Sequence, residues 1–150
     1  MQEQRTRHDE AEGVAGDATL PRSAILRGRG AFDAVFKDGS GTRSGRLIVK
    51  YRVMPAEHRR LVAGFVLRRG SGNAVRRNRL KRLLREAYRH ERAAFEARLP
   101  EDIEVHLVVL WSGTREEAPR ERLEKLRVDL ASALRKIVHR LRPRQDERSN

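Results

Sequence analysis

Between Asn73 and Arg92 the chain carries eight Lys or Arg against two Glu, on a segment whose apolar residues recur at helical spacing. On a helical wheel Leu80, Leu83, Leu84 and Ala87 fall within one arc, and Asn78, Lys81, Arg82, Arg85 and Arg89 occupy the opposite one. Crowded like charges repel along a helix, so the segment needs a core to hold its apolar back and a counter-charge for its front. Gly70-Ser71-Gly72 ahead of it marks a turn, and Asn73 predicts the N-cap, because its side-chain oxygen can accept an unpaired first-turn N–H.

Period-2 stretches flank this helix and supply that core. Leu47, Val49, Tyr51 and Val53 alternate with Ile48, Lys50 and Arg52, which predicts a strand with one apolar and one basic face. Leu61 to Arg69 predicts a second strand, with Leu61, Ala63, Phe65 and Leu67 on one side and Val62, Gly64, Val66 and Arg68 on the other. After Arg98-Leu99-Pro100, the residues Ile103, Val105, Leu107, Val109 and Trp111 predict a third. Its end, Val108 to Trp111, is apolar on both faces, which places it centrally in the sheet. Phe32, Val35 and Phe36 predict a short helix ending near Gly39, with its start anywhere from Ser23 to Ala31. Gly39-Ser40-Gly41 and Ser44-Gly45 read as a loop, and Met54 to Arg59 as a turn.

Leu123, Leu126, Leu130, Leu134, Ile137 and Leu141 give the clearest helical period in the chain, stopped by Pro143. Its start is either a Thr114/Glu117 capping box or Pro119 as first helical residue. The expected fold is α+β in a two-layer sandwich, ordered helix, strand, strand, a further optional strand, basic helix, strand, helix. One domain spans 20–142. The acid-rich residues 1–19, almost without large apolar side chains, are expected to be a disordered tail, and 143–150 a polar one.

Net charge of +13 among 150 residues makes nucleic acid or an anionic surface the leading partner class. No apolar run approaches the roughly 18 residues of a membrane span and no signal-peptide pattern is seen, so no membrane association is expected and cytoplasm is the expected compartment. Absence of cysteine removes disulfides, thiolate catalysis and Cys-based zinc sites. The five histidines (His8, His58, His90, His106, His139) lie on separate elements without ligand spacing. No paired carboxylates or histidine-activated nucleophile emerge, and Gly70 and Gly72 lack the Walker lysine, so neither a protein catalytic site, a small-molecule substrate nor a protein-bound cofactor is expected.

Arg77-Asn78-Arg79-Leu80-Lys81-Arg82 begins at a helix N-terminus, where free N–H groups and the dipole already favour phosphate. Guanidinium forks and an amide that both donates and accepts could grip a folded backbone there. The plainer alternative is a solvated basic face. With Gly72-Asn73-Ala74-Val75 before it and Leu84-Arg85-Glu86 after it, this block resembles the defining motif of the bacterial ribonuclease P protein component. Leu20-Pro21-Arg22, Leu26-Arg27 and Phe32-x-x-Val35-Phe36-x-x-Gly39 are similar to that family's first helix region, and the resemblance covers about residues 20–141.

The resemblance implies a sheet with a left-handed β-α-β crossover and a protein that assists a catalytic RNA, with Mg²⁺ at the RNA active site. It also implies help in binding the 5′ leader of precursor tRNA. Carried over by position, Arg77, Asn78, Arg79, Lys81 and Arg82 would contact the catalytic RNA, joined in the basic surface by Arg68, Arg69, Asn73 and Arg85. Phe32, Phe36 and Lys50 would line the leader cleft, where rings can stack on unpaired bases; ordinary core packing is the alternative for both rings. Two departures stand out. The family's paired cations would fall at 69 and 70, whereas here they are Arg68-Arg69 followed by Gly70, and Lys50 stands where many members have an aromatic residue. The rival reading is a general RNA-binding or ribosome-associated structural protein; a protein-only nuclease would need an acid, base and metal constellation that the sequence does not offer.

Overall fold

The computed structural model describes residues 20–142; the expected tails and His8 lie outside them. The three alternating stretches form strands β2 (Leu47–Pro55), β3 (Arg60–Leu67) and β4 (Ile103–Trp111). A fourth strand, β1 (Ser40–Ser44), forms where the glycine- and serine-rich sequence predicts a loop. Its pairing supplies what its pattern lacks. Ser40 lies opposite Tyr51 and Ser44 opposite Leu47, across a tight turn in which Gly45 takes the positive φ of 58°.

The sheet order is β1-β2-β4-β3. Strand β4 is central, antiparallel to β2 and parallel to β3, as its doubly apolar end predicts. Adjacent parallel strands require a crossover, and α2 (Ala74–Ala97) provides it between β3 and β4. Helix α3 (Leu123–Leu141) packs beside α2 on the same face of the sheet. Helix α1 (Arg29–Asp38) covers part of the other face.

The principal core lies between the sheet and the α2/α3 layer. Leu80, Leu84 and Tyr88 of α2 and Leu126, Leu130 and Ile137 of α3 are buried against Leu47, Val49, Ala63, Leu107 and Trp111. Full burial of each leucine contributes about 1.5–3 kcal/mol, which outweighs the few tenths lost to each like-charge pair on the α2 surface. A smaller cluster on the opposite face joins Leu26 and Val35 to Val62 and Val108.

Neither expected start of the last helix is observed. Thr114 and Glu117 do exchange capping-box hydrogen bonds, at 2.8 and 3.2 Å, but these lead into a 3-10 turn over Ala118–Arg120 that contains Pro119. Helix α3 begins only at Leu123. The second strand also ends sooner than its pattern suggests, at Leu67, so Arg68 and Arg69 lie in the turn beyond it rather than on opposite strand faces.

Candidate nucleic-acid interface

Helix α2 opens as its sequence predicts. The Asn73 side chain accepts the Arg76 backbone N–H at 3.0 Å, and the preceding Gly70 and Gly72 have φ of 82° and 130°, a region that side chains disfavour. The cap fixes the helix start one turn before the cationic block. Asn78, Lys81 and Arg82 are exposed, Arg77 is half-buried, and none of these four side chains has a hydrogen bond or ion pair among the described residues. Arg76, which the motif reading passed over, is exposed beside them; its signal was the Arg76-Arg77 pair.

Other members of the expected basic set are committed within the fold. Arg79 is half-buried and donates to the carbonyls of Ala118 at 3.2 Å and Glu121 at 2.8 Å. Arg68 donates to the Ser112 carbonyl at 3.2 Å. Arg85 is exposed, with its guanidinium carbon 5.9 Å from the Phe65 ring centre, and Phe65 meets Tyr88 edge-on at 5.6 Å. Arg89 pairs with Glu86, which also lies 3.2 Å from His90. The Arg89 hydrogen bond holds the Glu86 carboxyl below its usual range, against a smaller opposing effect of burial. Arg69 is exposed in the turn.

A buried polar knot anchors the loop that Arg79 grips. Glu121 is 1% exposed, and its Oε2 accepts from Trp111 Nε1 at 2.7 Å and Arg46 Nη1 at 3.1 Å. Arg46 also pairs with Glu117 at 3.1 Å. The Thr114 backbone N–H, followed by Arg46, holds the Glu117 carboxyl below the usual range. Through Trp111, the end of β4 is thereby tied to the loop and, through Arg79, to the cationic end of α2. No sequence motif announced this arrangement.

Phe32, Phe36 and Lys50 share the other face of the sheet. Gly41, Lys50, Val108 and Gly64 form one cross-strand row there. Phe32 is half-buried over Gly64, where an added Cβ would lie 2.4 Å from its Cζ; Lys50 lies along Gly41 at the sheet edge. Phe36 is 41% exposed, while Val35 between the rings is fully buried. Phe32 therefore packs and Phe36 is available for stacking, and half-exposed Ile48, Val66 and Leu110 add apolar surface on the same face. Beside Leu26 this face also bears an open cavity of about 450 Å³, whose walls include Arg22, Arg27, Arg60 and His106.

A cationic helix on one side of an α+β sheet and an aromatic, partly basic surface on the other define an RNA-binding domain. The profile of the family described as Ribonuclease P matches residues 20–141, and the chain belongs to that family. The ribonuclease P protein component of Chlorobaculum tepidum is 32% identical over 139 residues, covering 85% of this chain and 88% of the relative. That of Coprothermobacter proteolyticus is 43% identical over 69 residues, covering 46% of this chain and 55% of the relative. The solved RNase P protein from Thermotoga maritima matches with a TM-score of 0.57 at 27% identity, over 75% of this chain and 96% of that one. A Staphylococcus aureus RNase P protein, at 17% identity and TM-score 0.52, shares the fold. Members of this family are protein components of ribonuclease P, an endoribonuclease in which they work with an RNA subunit. Among the described residues no helix is long and apolar enough to cross a membrane.

Proposed function

We propose that this chain acts in the cytoplasm on precursor tRNA, assisting removal of the 5′ leader, with phosphodiester hydrolysis carried by the RNA subunit and its Mg²⁺. The observation that carries the reading is the uncommitted set Arg77, Asn78, Lys81 and Arg82 at the capped start of α2, which offers forks, an ammonium and an amide to a folded RNA backbone. Asn73, Arg68, Arg69 and Arg85 flank that surface. Arg79 supports it from behind. Phe36, Phe32 and Lys50 take the leader on the opposite face, with Phe36 supplying the stacking ring and Lys50 neutralising a phosphate.

In this reading the protein's own contribution is to bind and position RNA, through the exposed cations and amide of α2 and through Phe36 and Lys50 on the other face. The test is stimulation of precursor-tRNA cleavage by a cognate catalytic RNA at low Mg²⁺. Faster cleavage, and tighter binding of precursor than of mature tRNA, are the expected results. No stimulation, or equal affinity for tRNA with and without a leader, would overturn the reading in favour of a general RNA-binding role.

A further inference from the structure

Helix α3 carries a second cationic surface that the motif at α2 does not include. Ser132, Arg135, Lys136, His139 and Arg140 recur at helical spacing and line an open depression of about 430 Å³. Arg142 follows just beyond the helix. After Asp129 no acidic residue occurs through Arg142, and β1 beside the stripe has none either. Lys136 donates to the Arg43 carbonyl at 2.9 Å and Arg140 to the Gly41 carbonyl at 3.0 Å, so the stripe is seated against the outer edge of β1. Arg135, His139 and Arg142 are exposed and make no hydrogen bond or ion pair among the described residues.

Helix-dipole compensation does not account for this surface. That effect fades within the last turn, whereas Arg135 and Lys136 stand more than a turn before the end at Leu141. Like charges four residues apart, as in Lys136 and Arg140, repel, so the stripe costs stability in the free protein. A polyanion removes that cost.

The stripe is also separate from the cationic block of α2. The two helices run parallel: Arg79 reaches Glu121 near the start of α3, Glu91 pairs with Arg127, and Arg98 lies in the groove with Arg135 and Val138. From Asn78 to the level of Arg98 the helix advances about 30 Å, and the Debye length at physiological salt is about 8 Å, so the two surfaces attract charge independently. The His139 imidazole is the one ring among the residues that line the depression, and no Phe, Tyr, Trp or amide side chain joins it there, so the stripe offers a row of phosphate contacts and not the succession of rings that tracks a single strand.

We propose that the C-terminal half of α3, with Arg43 of β1, is a second RNA-binding surface that takes the phosphate backbone of a double-helical segment of the RNA subunit. The inference rests on the ribonuclease P role argued above. The protein then bridges two parts of the folded RNA rather than docking at one.

The test uses the full chain with Arg135→Ala and Arg142→Ala together, which spares the two cations that cap β1. Equilibrium binding is measured across salt concentrations against the cognate RNA subunit and, separately, a single-stranded leader oligonucleotide. The expected result is a salt slope for the RNA subunit reduced by roughly 1.5–2, with leader binding unchanged. An unchanged slope overturns the proposal, as does a loss confined to the leader oligonucleotide, which would make the stripe a single-strand track. If the wild-type chain binds the RNA subunit but fails to stimulate cleavage, the functional reading falls while the stripe is still judged by its slope.

Discussion

The Arg79 guanidinium donates through Nη2 to the backbone carbonyl of Glu121 at 2.8 Å, across 42 positions of sequence. A second bond, to the Ala118 carbonyl, fixes the same loop. The central arginine of the cationic block therefore holds the loop after β4 against α2, and its neighbours Asn78, Lys81 and Arg82 stay exposed without a hydrogen bond or ion pair among the described residues.

Arg79→Ala is expected to lower unfolding free energy by about 2 kcal/mol, since charged donors to carbonyls contribute more than neutral ones. Arg82→Ala, at an exposed and unpaired position, should stay within about 0.5 kcal/mol of wild type while weakening RNA binding. Denaturant titration beside RNA affinity separates the two. Equal stability of both variants would remove the structural role of Arg79.

Removing the Glu121 carboxylate by Glu121→Ala strands the buried Trp111 N–H and half of the Arg46 guanidinium's pairing. A loss of about 2–4 kcal/mol is expected, and Glu121→Gln, which keeps an acceptor for the indole, should lose less. Trp111 is the single tryptophan, so its emission reports directly on this knot. A Glu121→Ala protein with unshifted emission and unchanged melting would refute the account.

At Gly64 a methyl group would lie 2.4 Å from Phe32 Cζ and 2.6 Å from Cε1. Gly64→Ala should cost about 1–3 kcal/mol by forcing the ring, and with it α1, away from the sheet. Pairing it with Phe32→Leu should recover part of that cost. Strict additivity of the two changes in a double-mutant cycle would show that the ring and the glycine are not coupled.

Glu86 supplies a pH dependence. Arg89 holds its carboxyl below the ordinary value of 4.5, so the unfolded chain binds the proton more readily than the native one. Its stabilisation is complete above that value and is lost as pH falls through the depressed native value. The stability gap between wild type and Glu86→Gln should be open at neutral pH and close on acidification below 4.5. A gap that persists unchanged through that range would rule this pairing out as its source.

The sheet's inner strands were legible because each side chain's direction is written in a period of two: Val49, Ala63 and Leu107 face the helices, and Lys50, Gly64 and Val108 face α1. The split of α2 into packing and cationic sides was equally legible, as was the cap at Asn73. Strand β1 was not, because Thr42 is its only buried side chain, its glycine and serines carry no alternating pattern, and the cations that hold its carbonyls come from the far end of the chain. The Thr114/Glu117 box was recognisable, but whether it opens a long helix or a short turn depends on burial of Glu121. Arg79 shows the same limit at the site: the motif gives its charge, and only the fold gives the carbonyls that take it.

The outer carbonyls of β1 reach their cations only across 93 residues, from Arg43 to Lys136, and 99 residues, from Gly41 to Arg140. During synthesis the hairpin of β1 and β2 emerges long before α3 exists. Until the last helix leaves the ribosome, that strand presents an unguarded edge on which another nascent chain could pair. Completion of the C-terminal turns is thus the step that seals the sheet, and a chain cut short before Lys136 should be prone to aggregate even with its sheet strands and α2 intact.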